Sequence, residues 1–202
     1  MKYLSCAETA KLIRTALKEA FPGIKFGVRS KTYSGGASIT IGWTDGPNTK
    51  QVEAVTGRFE GSYFDGMIDY QGSITSMLNG EQVRFLANFV FTNRKYSDAF
   101  IQRGIDAVLT KYGTSELNGY VPTVEDYNQN RMWNISPYTN SGGFNNATDL
   151  QSLVSADLSK RSTVLAGASP TAAAIFPLCD DGYGLGGVSN IGNGYPGARV
   201  SV

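Results

Sequence analysis

The carboxylates are the first residues to question for chemistry, because the 202-residue chain contains no histidine. Without imidazole there is no Ser-His-Asp or Cys-His relay, no histidine-ligated metal and no histidine pH switch. Acidic side chains alone can hold Mg²⁺ or Ca²⁺, and a pair of them can catalyse hydrolysis. Asp45, Asp65 and Asp69 sit in or beside glycine turns, and Glu53 lies in a helical stretch. Their spacing lacks the DxDxDG run of a calcium loop, and Asp before Gly is common turn chemistry. Asp180-Asp181-Gly182 reads the same way. No catalytic residue, metal ligand or cofactor is assigned, and the expectation is a protein that is not an enzyme.

Glycines and thiols add little. Gly182, Gly184, Gly186 and Gly187 spell G-Y-G-L-G-G. The dinucleotide fingerprint has another spacing and joins a strand to a helix, and a Walker loop needs a lysine that is missing here. Cys6 and Cys179 form no CxxC pair, which excludes a zinc ribbon or a dithiol redox motif. Cys6 falls in a first helical turn, where the helix dipole can activate a thiol. It has no histidine base to work with, so a semi-buried structural thiol is expected. Two reduced thiols, no apolar leader run and no apolar window of spanning length point to the cytoplasm and away from a membrane.

The basic and aromatic residues make a better candidate. Lys25, Arg29, Lys31 and Tyr33 project from or follow one strand. Lys11, Arg14 and Lys18 form a rail on the first helix, and Arg94 with Lys95 precede a later helix. Gathered on one face, they would track phosphates and offer a tyrosine for stacking. The alternative is a solvated charged surface whose lysine stems cover apolar patches. The net charge is only +1, which argues against a general polyanion binder but leaves room for a local basic face.

Several elements must position these residues. Ser5 and Glu8 spell a capping box ahead of Ala10, Ile13, Leu17 and Ala20, and Pro22-Gly23 ends that helix. Ile24, Phe26 and Val28 alternate with polar residues, as do Ala37, Ile39, Ile41 and Trp43. The pair predicts a hairpin with a somewhat long loop around Ser34-Gly35-Gly36, whose outer face shows Lys25, Arg29, Lys31, Ser38 and Thr40. Pro47 suits the first turn of a second helix with Val52, Val55 and Phe59 on its stripe, stopped by Gly61. Phe64-Asp65-Gly66 is a turn, Met67 to Tyr70 a short extended piece, and residues 71–82 a polar connector. Val83, Phe85, Ala87, Phe89 and Phe91 predict one long central strand, with Leu86 and Val90 covered on its other face. Ser97 caps a last helix that Gly113 ends. The expected fold is α+β, an antiparallel sheet packed with helices in the order α-β-β-α-β-α.

Composition changes near Gly113. Residues 1–112 hold 14 basic and 10 acidic residues, a balance of +4, whereas residues 113–202 hold 4 and 7, a balance of −3. The expected division is an α+β domain over 1–112, a loop-rich region with short helices over 113–161, and a Gly-rich extended or disordered arm over 162–202. Within the middle region, 124–133 and 150–158 are predicted short helices, the latter capped by Asp149 or Thr148. The arm keeps Ile175, Phe176, Leu178, Tyr183 and Tyr195, anchors that suit ordering on a partner.

The segments CAETAKLIRTALKEAFP, KFGVRSKTYSGGASI, WTDGP, FDGMIDY and FTNRKYS occur in this order over about residues 5–97. Together they resemble the large polyvalent protein-associated domain family 29, a module of large polyvalent proteins of phages and conjugative elements. The resemblance implies a mobile-element protein of the kind that accompanies incoming DNA and counters host defences. It supplies no catalytic residue. The matching positions that could carry the family's role are Lys11, Arg14, Lys25, Arg29, Lys31, Tyr33, Trp43, Asp45, Phe64, Asp65, Asp69 and Arg94.

Three functions are therefore expected to compete. The leading one is a non-enzymatic accessory protein of a phage or plasmid that binds a host or phage protein or nucleic acid, with an anti-defence role as its sharper form. Its binding residues would be Lys11, Arg14, Lys25, Arg29, Lys31, Tyr33, Arg94 and Lys95. The second is a nucleic-acid-binding module that uses the basic strand face. The third is a virion or assembly subunit that oligomerises through its C-terminal arm.

Overall fold

The computed structural model describes residues 1–137 and 149–179. In chain order the elements are β1 (Lys2–Leu4), α1 (Cys6–Ala20), β2 (Gly27–Tyr33), β3 (Gly36–Thr44), α2 (Thr49–Thr56), β4 (Ser62–Asp65), β5 (Tyr70–Ser73), β6 (Thr75–Leu78), β7 (Glu81–Phe85), β8 (Phe89–Lys95), α3 (Asp98–Tyr112), α4 (Val124–Asn128), α5 (Leu150–Lys160), α6 (Pro170–Ala173) and β9 (Ile175–Cys179). Helices combine with three sheets, ordered β1-β7-β6-β9, β2-β3-β8 and β4-β5. The fold is α+β.

Two compact units share the chain. One is Met1–Arg94 together with the segment from Val164 onward, and the other is Lys95–Thr163. The chain thus does not divide at the compositional break near Gly113, because α3 packs against α4 and α5. The expected terminal arm also differs. Val164–Cys179 is built into the first unit, with β9 paired to β6 at the sheet edge. The glycine run, Asp180-Asp181 and the remainder of the tail lie outside the described residues.

Local chemistry explains the elements that hold the first unit. The Ser5 hydroxyl accepts the Glu8 N–H at 3.3 Å, and the Glu8 carboxylate accepts the Ser5 N–H at 2.8 Å, the reciprocal box that starts α1. Helical spacing then buries Ala10, Ile13, Ala16, Leu17 and Ala20 against Ile39, Ile41, Val52, Phe59 and Phe85. Asn48 caps α2 through Gln51 in the same reciprocal way, so Pro47 precedes the cap instead of filling the first turn. The Pro47 carbonyl is used nonetheless, accepting the Trp43 indole N–H at 2.9 Å.

The hairpin is tighter than its loop predicted. Strand pairing runs from Gly27↔Gly42 to Tyr33↔Gly36, leaving only Ser34 and Gly35 between the strands. Gly35 has φ +89°, a left-handed conformation that favours glycine. The predicted polar connector over 71–82 is instead β5, β6 and the start of β7.

The expected long strand over 83–91 is two strands in two different sheets. β7 ends at Phe85, and β8 starts at Phe89. Val83, Phe85 and Ala87 are buried, but Leu86 is 46% exposed and Phe91 53%. The step between them is held on both sides. The Gly61 N–H donates to the Ala87 carbonyl at 2.8 Å, and the Asn88 N–H donates to the Ala37 carbonyl at 2.8 Å. One unbroken alternation of apolar residues hides a change of sheet, because both strands keep the same period.

Six hydrogen bonds help to dock the C-terminal segment. The Gly167 N–H donates to the Ala20 carbonyl at 2.7 Å, closing the end of α1. The Gln51 amide donates to the Val164 carbonyl at 3.1 Å, and Arg58 to the Ala172 carbonyl at 2.8 Å. Glu19 accepts the Ser169 hydroxyl, the Thr171 hydroxyl and the Thr171 N–H at 2.7, 2.8 and 3.0 Å. Ile175 and Ala172 are buried in the first unit's core.

The second unit has its own core of Phe100, Ile101, Ile105, Val108, Met132, Leu150, Val154 and Leu158. Ser97 caps α3 and Gly113, at φ +82°, ends it as predicted. Asp149 caps α5. The helix predicted over 124–133 stops at Asn128, and Asn130 with φ +53° marks the departure.

Candidate nucleic-acid interface

The three-stranded sheet β2-β3-β8 has two different faces. One carries Val28, Ala37, Ile39, Ile41 and Trp43, which pack with α1 and α2 in the core. On β8, Val90 packs on that core, the Thr92 hydroxyl meets the Glu53 carboxylate of α2 at 3.1 Å, and Arg94 donates to the Asp45 carbonyl at 2.9 Å. Successive side chains alternate across a strand, so the neighbours of all these residues turn to the opposite face.

That opposite face holds the candidate site. Arg29 stands opposite Thr40, Lys31 opposite Ser38 and Tyr33 opposite Gly36. Phe89 and Phe91 follow on β8, with ring centroids 6.1 Å apart. Arg29, Lys31, Thr40, Phe91 and Asn93 are exposed, and Tyr33 is 46% exposed. The face includes no carboxylate from any of its three strands. Among the described residues neither Arg29 nor Lys31 makes an ion pair. Glu53 is engaged on the helix side through Thr92, and Glu60 accepts the Val90 N–H at 2.9 Å. No side chain on these three strands offsets the charges of Arg29 and Lys31.

The structure separates the predicted basic set. Arg29, Lys31 and Tyr33 share the open face. Lys25 is exposed just ahead of β2, between Ile24 and Phe26, which pack on the core. Lys11, Arg14 and Lys18 are exposed on α1, across the sheet from Arg29 and Lys31. Arg14 also has a structural task, donating to the Val28 carbonyl at 2.7 Å. Arg94 turns to the helix side and braces the Asp45-Gly46 turn through both carbonyls. Lys95 is the exposed last residue of β8.

Phe89 and Phe91 are functional candidates that the sequence reading assigned to the core. Their exposure follows from the change of sheet at Ala87-Asn88. A cue was available: from Phe89 onward the alternate residues are Val90, Thr92 and Arg94, a series too polar for a strand covered on both faces.

Asp45 and Asp69 sit in turns, and Asp65 ends β4. Asp45 and Asp69 adopt φ +56° and +50°, and Asp65 accepts the Met67 N–H at 2.9 Å. Among the described residues no three Asp, Glu or Cys side chains gather to hold a metal. Cys6 is a free, buried thiol whose pKa burial pushes up, and its Sγ lies 3.5 Å from the Ser38 carbonyl. A raised thiol pKa opposes nucleophilic use.

Residues 4–97 match the family model of the large polyvalent protein associated domain 29. The match runs from the end of β1 through β8 and contains the whole β2-β3-β8 sheet. It leaves α3 and the docked segment Val164–Cys179 outside. No curated protein and no solved structure matches the chain. No helix among the described residues is long and apolar enough to cross a membrane.

Proposed function

We propose that the chain is a non-enzymatic accessory protein of a phage or conjugative element, and that it binds nucleic acid through the open face of β2-β3-β8. The register that sets Arg29, Lys31 and Tyr33 beside Ser38 and Thr40, with no carboxylate among them, carries this reading. The polyvalent-protein domain supports the mobile-element part. Binding of incoming or host nucleic acid is the step through which an anti-defence role would act.

The test is fluorescence anisotropy of labelled oligonucleotides with the full chain over a range of salt. Arg29→Glu combined with Lys31→Glu should abolish binding. Replacing both by Gln should flatten the log–log salt dependence by about 1.4 for single strands, since two phosphate contacts are lost. Unchanged affinity in both double variants would remove this face from the function.

A protein partner is the second reading, favoured by the β4-β5 hairpin. Its tip exposes Phe64, Met67 and Ile68, with Met67 88% exposed. Capture of one protein from bacterial lysate by the full chain, lost in Met67→Ser with Ile68→Ser, would support it. Capture that survives both substitutions would dismiss the hairpin.

A further inference from the structure

We infer that the open face takes single-stranded nucleic acid, with unpaired bases stacked on Tyr33 and Phe91 and phosphates tracked by Arg29 and Lys31. The inference rests on the nucleic-acid reading above and narrows its ligand. Three features of the face select an unpaired strand.

The first is the absence of a groove reader. A duplex shows its base edges only at the bottom of grooves, which an inserted helix or ribbon reaches. The open face is a pleated surface whose middle strand offers Gly36, Ser38, Thr40 and Gly42, all small. No side chain of this middle strand projects far enough to enter a groove.

Aromatic placement is the second feature. Tyr33 lies on the outer strand β2 and Phe91 on the outer strand β8, with β3 between them. Adjacent strands are about 4.8 Å apart, so the two rings stand on strands about 10 Å apart. Successive bases of a duplex strand rise only about 3.4 Å and cover one another's faces. Two rings so far apart can each meet a base face only where the bases are unstacked. Both rings have a neighbour that positions them. Phe89 packs against Phe91, and the Tyr33 ring lies over Gly36, whose missing side chain leaves it room.

The third feature is the order of chemistry across the sheet. Arg29, Lys31 and Tyr33 line one edge strand, hydroxyls the middle strand, and Phe89 and Phe91 the far strand. A strand laid with its backbone along Arg29 and Lys31 would point its bases across Ser38 and Thr40. Those hydroxyls donate or accept, so they tolerate any base edge. The expected preference is for unpaired strands with weak sequence selectivity.

Affinity of the full chain for a 12-nucleotide single strand and for the blunt duplex of the same sequence separates the outcomes. Single-strand binding should be at least about tenfold tighter than duplex binding. Tyr33→Ala and Phe91→Ala should each weaken it about tenfold. Tyr33→Phe and Phe91→Tyr should restore it, because a ring face is retained. Equal single-strand and duplex affinity would overturn the inference. So would Tyr33→Ala and Phe91→Ala variants that bind single strands normally while Arg29→Glu with Lys31→Glu does not; the nucleic-acid reading would then stand without stacking. No binding to either form would end both.

Discussion

Asn88 and Ala37 hold each other twice. The Ala37 N–H donates to the Asn88 side-chain carbonyl at 2.8 Å, and the Asn88 N–H donates to the Ala37 carbonyl at 2.8 Å. The Asn88 amide also donates to the Ser62 hydroxyl at 3.1 Å. This one residue fixes the point where the chain leaves β7 and joins β3 as β8. It therefore also decides that Phe89 and Phe91 reach the open face.

Asn88→Ala strips a buried backbone N–H of its acceptor. Leaving such a group unsatisfied costs about 1–3 kcal/mol. Denaturant unfolding should show a loss of that size, and Asn88→Asp, which keeps an acceptor, should lose less. Equal stability of Asn88→Ala and the parent would show that water or a rearranged turn replaces the contact.

Gly61 is the second fixed point of the same step. Its N–H serves Ala87, its carbonyl accepts the Ile74 N–H at 2.9 Å, and a Cβ there would collide with the Phe85 carbonyl oxygen. The obstacle is backbone, so no side chain can move aside. Gly61→Ala should destabilise by about 2–3 kcal/mol, as overpacking of a rigid site does. Gly27→Ala, whose Cβ would sit 3.7 Å from the Gly42 carbonyl, should be tolerated. A thermal melt of both variants makes the comparison.

Glu19 makes the docking of residues 164–179 pH-dependent. Hydrogen bonds from the Ser169 hydroxyl, then from the Thr171 amide and hydroxyl, hold its carboxyl below the usual carboxylate range. A depressed folded pKa means the stabilisation is present above the unfolded pKa and is lost as pH falls through the folded one. The Thr171 amide resonance should titrate with a midpoint below about 4.3, the ordinary glutamate value. Glu19→Gln should remove that titration. A midpoint above the ordinary value would reverse the assigned cause.

The basic rail on α1 should be separable from the site. Lys11 and Lys18 lie across the sheet from Arg29 and Lys31. Lys11→Glu with Lys18→Glu should change single-strand affinity less than about threefold by anisotropy, through long-range field alone. A loss comparable to that of the Arg29, Lys31 variant would mean the nucleic acid wraps round the sheet edge.

Local chemistry made much of the fold readable. Ser5 with Glu8, Ser97, Asp149 and Gly113 mark helix ends through bonds made within four residues, so their meaning survives without knowledge of the partner elements. That Arg29, Lys31, Ser38 and Thr40 share one face followed from alternation alone, whereas their register depends on the two-residue turn. Long-range pairing was not readable. Val83 to Phe91 has one period but two sheets, and what divides it is Asn88 meeting Ala37 and Ser62, far away in sequence. Ile175 to Cys179 looked like part of a loose tail, because a short edge strand containing Pro177 has no signal until β6 is beside it. The candidate site was half visible for the same reason. Its β2 and β3 residues are local, whereas Phe89 and Phe91 join it only through the change of sheet.

The domain match ends at residue 97, yet the edge of β6 is covered by a strand from residues 175–179. A fragment cut to the matched residues would keep every recognisable motif and uncover a row of unpaired N–H and C=O groups on β6. It would also bare the apolar surface that Ile175 and Ala172 cover. Exposed edges of that kind pair with other copies and precipitate. Recombinant work is best served by a polypeptide that keeps residues 164–179, since the matched residues do not include the strand that covers this edge.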